Sequence, residues 1–343
     1  MEAILLVGGL GTRMRPLTDD LPKPLLPVAG VPLVIHQIAR ARGAGIRHIV
    51  LATAYRAELF STTLANGSPL GVHVDYAVED EPLGTGGAIR NAASLLTRGP
   101  DEPVLVLNGD IVDGHDLTAQ LVQHTDTNAD ATLYLTKVED ARPYGCVPTK
   151  ATGQVTAFLE KMPHPVTNQI NAGCYVLGRG VIDAIPVGRP VSVERETFPE
   201  LLDSGGVVYG FLDDSYWRDL GTPESYVRGC ADAVLGLVDA PARPSPAGDF
   251  LVLDGSDVSP SAVLRGGASV GKQCRVGSGA VIDGSVLLDG AVVGAGAVIQ
   301  KSVVGRQARI GSGAVLDGVI VGRRCEVPDG TKPPPGTRLV SQD

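Results

Sequence analysis

Aromatic residues make up only 4% of this 343-residue chain, and tryptophan occurs once. Long apolar runs are missing too: the first, Ala3 to Val7, breaks at Gly8-Gly9 and is too short for the h-region of a signal peptide. Nothing later approaches a bilayer span, so a soluble, cytoplasmic protein without a membrane partner is expected. Basic charge is in deficit, with 29 Lys and Arg against 38 Asp and Glu and a formal net charge of −9. A nucleic-acid groove needs the opposite surplus, so nucleic acid is excluded as a partner and any basic site must be local. The five cysteines (Cys146, Cys174, Cys230, Cys274, Cys325) are odd in number and show no C-x-x-C spacing. That excludes a disulfide framework and a cysteine zinc site, and fits free thiols in a reducing compartment.

What is abundant is glycine (44) and proline (25), so turns must be many. The length predicts two domains, because single cores stop growing efficiently near roughly 250 to 300 residues. Near the start, the short strand Ala3 to Val7 empties into Gly8-Gly9-Leu10-Gly11-Thr12-Arg13-Met14-Arg15-Pro16-Leu17-Thr18, followed by Pro22-Lys23-Pro24. Glycines let backbone N–H groups approach a phosphate closely, and Arg13, Arg15 and Lys23 add charge-assisted contacts. Neither familiar glycine motif fits: Gly9-x-Gly11-x-x-Met14 lacks the third glycine of a dinucleotide fingerprint, and no G-K-[ST] follows as a Walker A loop would require.

Downstream, apolar strands alternate with helical patterns. A helix is expected from Pro32 to Gly43, a strand over Ile46 to Ala52, a helix over Ala57 to Ala65 and a strand over Val72 to Val78. A second glycine loop, Glu79 to Gly87, leads into a helix over Ala88 to Leu96. The strand Pro103 to Leu107 then ends in Asn108-Gly109-Asp110. This alternation predicts a Rossmann-like, mostly parallel sheet, with ligand groups gathered beyond the carboxyl ends of the strands. Further strands are expected at Ala131 to Val138, Gly153 to Lys161, Asn171 to Leu177 and Val207 to Leu212. Helices are expected at Val193 to Asp203 and Pro223 to Leu237, with Trp217 to Thr222 as a loop.

A proline-rich linker, 241–248, separates this first domain, 1–240, from a different texture. Aliphatic residues recur every six from Val252 through Val258, Leu264, Val270, Val276, Ile282 and Leu288. The register slips by one residue to Val293 and Ile299, again to Val304, Ile310 and Leu316, and again to Val321 and Val327. A period of six is neither helix nor hairpin; it is the hexapeptide signature of a left-handed parallel β-helix, placed at 249–331 with a tail over 332–343. Hexapeptide acyltransferases share this repeat but need a general base, commonly histidine. None of the six histidines lies in it, so the β-helix is expected to be an assembly or regulatory surface.

The glycine stretch with Pro22-Lys23-Pro24 resembles the signature of the sugar-1-phosphate nucleotidylyltransferases, the sugar-nucleotide pyrophosphorylases. Glu81-Pro82-Leu83-Gly84-Thr85-Gly86-Gly87, Val193-Glu194-Arg195-Glu196-Thr197-Phe198-Pro199 and the hexapeptides are most similar to the mannose-1-phosphate guanylyltransferase branch. The resemblance covers nearly the whole chain except the linker and the tail. It implies that a nucleotidyl group passes from a nucleoside triphosphate to a sugar 1-phosphate, by in-line attack of a phosphate oxygen on the α-phosphorus with expulsion of pyrophosphate. By the same resemblance, Gly8, Gly9, Gly11, Thr12, Arg13, Gly84 and Thr85 bind the nucleotide, and Arg15 and Lys23 stabilise the reacting phosphates. Asp110 and Asp219 hold Mg²⁺, while Gly145, Glu160, Lys161 and Asn171 line the sugar-phosphate pocket. A homo-oligomer built through the β-helix is implied as well.

The chemistry suits the residues, because a phosphate monoester is already a competent nucleophile and needs no base; charge neutralisation and positioning suffice. Glu79 falls where thymidylyltransferases of this superfamily read the base with glutamine. A carboxylate only accepts, and guanine offers a matched pair of donors, so GTP is favoured. A one-residue shift would give that role to Asp80 or Glu81. Gly86 departs from the branch, where alanine is usual. Plainer readings also stand: Asp110 as a turn cap, Asp219 as a solvated charge, Glu160-Lys161 as a strand-end ion pair, Cys146 and Cys174 as packing residues. So do rival functions, namely ATP or dTTP as donor, a heptose or cyclitol phosphate as acceptor, or a non-catalytic regulatory subunit.

Overall fold

The computed structural model describes residues 1–341. The chain packs as two compact units, one formed by Met1–Gly9 with Gln37–Trp217, the other by Leu10–His36 with the chain from Arg218 onward.

In the first unit the apolar runs become strands β1 (Glu2–Leu6), β2 (His48–Thr53), β3 (His73–Val78) and β4 (Val104–Asn108). Strand β1 lies between β4 and β2, and β3 pairs outside β2, all parallel. Beyond β4 the sheet turns antiparallel, through β6 (Ala131–Lys137), β7 (Gly145–Cys146), β8 (Leu159–Glu160) and β9 (Gln169–Leu177), while β5 (Ile111–Asp113) stands off it. Strand β10 (Val208–Leu212) extends the sheet in parallel beside β6. The core on one sheet face, with Ile4, Val50, Val106 and Leu133 all essentially inaccessible, is what a buried α/β sheet requires.

Several elements differ from the sequence expectation. Residues 153–161 form only the short β8, because 149–156 fold into a turn closed by the Thr149–Val155 bridge. Helix α1 (Leu33–Gly43) and α2 (Ala57–Leu64) lie where expected, but α3 begins earlier, at Gly84, and runs to Ala92. The segment Val193–Thr197 is one π-helical turn feeding the α-helix Phe198–Asp203. Helix α4 (Leu117–Asp126) carries no strong apolar stripe; its start is fixed by Asp116, whose carboxylate accepts the Ala119 N–H at 3.0 Å.

Residues 217–219 are a strand rather than a loop. In the second unit α5 (Pro223–Leu235) is capped by Thr222 and stopped by Gly236 in the left-handed region. The repeat forms a parallel β-helix of three stacked ladders. Val270, Leu287, Val304 and Val321 stack in one ladder at intervals of 17 residues, so the register slips at Leu287 and not after Leu288. Val276, Ile282, Val293, Ile299, Ile310 and Leu316 point inward as the six-residue period requires. Arg338–Leu339, in the expected tail, adds another rung beside Ile320–Val321. Residues 342–343 of that tail lie outside the described residues.

The short hairpin Pro27–Val28 with Val31–Pro32 is tied to α5 by the Tyr226 hydroxyl, which donates to the Pro27 carbonyl at 2.7 Å. Beside it, buried His36 donates from Nε2 to the Val28 carbonyl at 2.9 Å and accepts the Ala242 N–H at Nδ1. Those two bonds specify a neutral ring, and burial pushes its pKa down. The unfolded chain binds a proton near pH 6.5 that the folded chain refuses until lower pH. Stability is therefore complete above about 6.5 and falls below it, by up to about 1.4 kcal/mol per pH unit from this group. Urea midpoints measured between pH 7.5 and 5 should show that fall, with a shallower slope in His36→Gln.

Candidate active site

The signature stretch folds in on itself. Gly11 sits in the left-handed region at φ +60°, where its carbonyl accepts the Thr18 hydroxyl at 2.9 Å; Thr12–Met14 then makes a 3-10 turn. Met14 is fully buried and anchors the turn, leaving Thr12 and Arg13 exposed. Arg15 also faces solvent, with Asp19 at 3.3 Å. Gly9 is exposed, with open space where a Cβ would stand, so the backbone there is approachable.

Lys23 is different. The prolines on either side hold it in a 3-10 turn, Lys23–Leu25, and the residue is only 8% exposed. Its Nζ lies 3.6 Å from Asp219 Oδ1. The buried ammonium and the partly exposed carboxylate compensate each other at that spacing, where the ammonium alone would be costly to bury. Gly221 faces the same carboxylate: a Cβ there would come within 2.8 Å of Asp219 Oδ2, 3.0 Å of Oδ1 and 2.8 Å of Arg13 Nη2. Within the second unit the structure thus brings together Arg13, Lys23 and Asp219, around a space that glycine keeps open.

The second unit also shows what backs this stretch. Arg338, in the last rung of the β-helix, donates to the Arg15 carbonyl at 2.9 Å, and Arg323 pairs with Asp20 at 3.0 Å. Pro16 lies over Gly322, and a small cavity separates Leu17, Leu21 and Leu26 from Leu288 and Arg306. The β-helix therefore supports the glycine stretch directly, a role that the repeat alone did not signal.

In the first unit, Asp110 follows β4 in a turn, half-buried. Gly109 precedes it because its N–H bonds the Leu6 carbonyl at 2.9 Å, and a Cβ would come 2.6 Å from that oxygen. The turn is also held by Gln37, whose amide donates to the Ile111 carbonyl at 2.5 Å. Glu79 accepts the Leu83 N–H at 2.9 Å on one carboxylate oxygen, bracing the loop, while burial pushes its carboxyl above the usual range. The Thr85 hydroxyl donates to Glu194 at 2.8 Å and accepts the Val193 N–H at 3.0 Å. Gly84, at φ +69°, presses against the Val191 carbonyl, and the Gly86 N–H bonds it at 2.8 Å. These residues lock the second glycine loop to the segment 191–194.

A third cluster forms where β7 meets β8. Glu160 pairs with Gly145 across the strands, and its carboxylate lies where a Gly145 Cβ would be, 2.6 Å away. The exposed Lys161, at φ +51°, places its amino group 3.4 Å from Glu160. Asn171 donates to the Tyr175 hydroxyl at 2.8 Å and accepts the Gly173 N–H, at a bulge in β9. Sequence reasoning passed over two neighbours. Tyr144 and Trp217 meet edge to face with centroids 5.4 Å apart, and the Trp217 indole donates to the Ala172 carbonyl beside Asn171. In an aromatic-poor chain the single tryptophan was the available signal. Cys146 and Cys174 are fully buried and reduced, as packing residues would be.

Comparison with known proteins gives a consistent result. The "Nucleotidyl transferase" family profile matches residues 2–234, and the "GMPPB C-terminal domain" profile matches 247–332. A mannose-1-phosphate guanylyltransferase of Mycobacterium tuberculosis is 50% identical over 294 residues, covering 85% of this chain and 81% of that protein. Mannose-1-phosphate guanylyltransferase 1 of Arabidopsis thaliana is 34% identical over 294 residues, covering 85% and 79%. Among solved structures, HddC from Yersinia pseudotuberculosis complexed with GMP-PN aligns with a TM-score of 0.57 and 29% identity, over 67% of this chain and 97% of that one. Among the described residues no helix is long and apolar enough to cross a membrane.

Proposed function

Because this chain belongs to the nucleotidyl transferase family, an enzyme family, we propose that it is a mannose-1-phosphate guanylyltransferase. It joins GTP and mannose 1-phosphate into GDP-mannose and pyrophosphate. The observation that carries the reading is the Lys23–Asp219 pair at 3.6 Å, with Gly221 keeping the space beside Asp219 and Arg13 open. That arrangement concentrates cations and one carboxylate, with no nucleophile–base pair beside them among the described residues. It suits phosphoryl chemistry driven by charge neutralisation better than covalent catalysis.

In the proposed mechanism an oxygen of the sugar 1-phosphate attacks the α-phosphorus in line, and the bond from that phosphorus to the bridging oxygen of pyrophosphate breaks. Lys23 and Arg15 hold charge on the departing group. Gly8, Gly9, Gly11, Thr12 and Arg13 bind the triphosphate, with Gly84 and Thr85 framing the nucleoside loop. Glu79 reads guanine's pair of donors with its carboxylate, one oxygen of which also braces Leu83. Glu160, Lys161, Gly145 and Asn171 bind the sugar phosphate. The family's divalent metal is taken to be Mg²⁺, held by Asp110 and Asp219. The donors fit it: both are hard carboxylate oxygens, and Gly221 leaves the space before Asp219 clear of any Cβ. When bound, Mg²⁺ supplies positive charge to the phosphates and fixes their orientation. A cytoplasmic homo-oligomer associating through the β-helix, with a functional partition at 241–248, completes the proposal.

Pyrophosphate release across GTP, ATP and dTTP, each with mannose, glucose and heptose 1-phosphates, tests it. The expected result is that GTP with mannose 1-phosphate has the highest kcat/KM. Preference for another triphosphate removes the role of Glu79, and inactivity with every pair would favour a regulatory subunit.

A further inference from the structure

The first unit carries a second cluster of ligating side chains, at the amino ends of the sheet strands and away from Asp110. Strands β1, β2 and β3 are parallel, with Ala3 opposite Ile49 and His48 opposite His73. Because side chains alternate between faces, Glu2, His48, His73 and Asp75 share the face that deeper in the sheet holds Ile4, Val50 and Ala77. The apolar core of that face thus begins in a polar row, where an apolar rim would be the ordinary choice.

The geometry within the row is specific. Glu2 is buried, and its carboxylate accepts N–H groups of Thr97 and Arg98 at 2.9–3.1 Å and the Thr97 hydroxyl at 2.7 Å. It also faces His48 Nδ1 at 2.5 Å. A carboxylate so surrounded by donors is an acceptor, so Nδ1 of His48 carries the proton. The other nitrogen of a neutral ring, Nε2, is then a lone pair, yet it stands 2.9 Å from Asp75 Oδ2. On the opposite side of the same carboxylate, His73 Nε2 lies 3.3 Å from Asp75 Oδ1. Two imidazole nitrogens therefore converge on one carboxylate. His73 can meet Asp75 as a donor from Nε2, but His48 Nε2 and Asp75 Oδ2 face each other as two acceptors; the rings lie 5.3 Å apart, and one divalent cation among the three side chains satisfies all of them.

We propose that His48 Nε2, His73 Nε2 and Asp75 form a zinc site, with Glu2 orienting His48 from behind. The three ligand atoms lie within 4.8 Å of one another. A tetrahedral ion with bonds of about 2.0–2.1 Å places its ligands roughly 3.3 Å apart, so small side-chain movements close the site. Two nitrogens and one carboxylate select Zn²⁺ over Mg²⁺, which prefers oxygen alone. The carboxylate behind His48 is the outer partner that metal-binding histidines commonly have. The His73 side chain is 59% exposed, which leaves the fourth position to water. The site clips β2 to β3 and plays no part in nucleotidyl transfer.

Titration of the intact, untagged protein with Zn²⁺ in excess Mg²⁺, followed by calorimetry and by the visible absorption of Co²⁺ as a substitute, tests this. One equivalent should bind and raise the melting temperature. His73→Ala and Asp75→Asn should each weaken binding at least tenfold and remove the Co²⁺ band, with pyrophosphate release in Mg²⁺ and the metal-free melting temperature unchanged. Absence of Zn²⁺ binding to the natural chain, or binding that neither substitution weakens, overturns the proposal. Neither outcome bears on the guanylyltransferase reading, whose own test is turnover.

Discussion

Lys23→Met is expected to lower kcat/KM for pyrophosphate release by roughly 10²- to 10³-fold, the usual cost of removing one preorganised group that meets transition-state charge. Methionine keeps the length and apolar stem of the buried side chain, so packing in the Lys23–Leu25 turn survives and the charge is what is lost. The same change leaves Asp219 without the ammonium 3.6 Å away, which should lower the melting temperature modestly. The two effects separate the roles. A residue that only compensates Asp219 would shift the melting curve and leave kcat nearly intact; a residue that also meets the reacting phosphates lowers kcat as well. Steady-state kinetics with GTP and mannose 1-phosphate beside a thermal melt decides between them.

Asp110→Asn is expected to cost at least about 10³-fold in turnover at saturating Mg²⁺, equivalent to roughly 4 kcal/mol of barrier. Asparagine has nearly the same shape, so the turn after β4 remains held by the Gly109 bond to the Leu6 carbonyl and by Gln37. A neutral amide is a poor ligand for a hard dication, so the Mg²⁺ concentration for half-maximal rate should rise while GDP-mannose still binds. If Asp110 merely capped its turn, the rate would stay within a few-fold and only stability would change.

The parts legible in the sequence are those whose pattern is local and repeated. Apolar runs with glycine ends give β1 to β4, and the six-residue period gives the β-helix, because each coil repeats the same inward position. The misplaced pieces depend on partners distant in the chain. Helix α4 shows little apolar periodicity, since buried Gln120 and His124 sit on the face where aliphatic residues would be looked for. The residues 153–161 read as a strand, yet only Leu159–Glu160 finds a partner, across from Gly145–Cys146. In the candidate site, the types and spacing of Arg13, Arg15 and Lys23 pointed to phosphate. The bracing by Glu79 and Thr85 was invisible, because their partners Leu83, Val193 and Glu194 are chosen by how two loops meet.

The contacts of the last rungs bear on how such chains can be recombined. Arg323 and Arg338 reach back some three hundred residues to Asp20 and the backbone of Arg15, so the repeat and the glycine stretch form one fitted surface. Exchanging hexapeptide arrays between relatives is then not the swap of an inert handle. A donor array must carry matching basic residues in its closing rungs and a glycine under Pro16, or the recipient loop loses its floor. Descent should accordingly tie the far end of this chain to its beginning more tightly than to the linker that joins them.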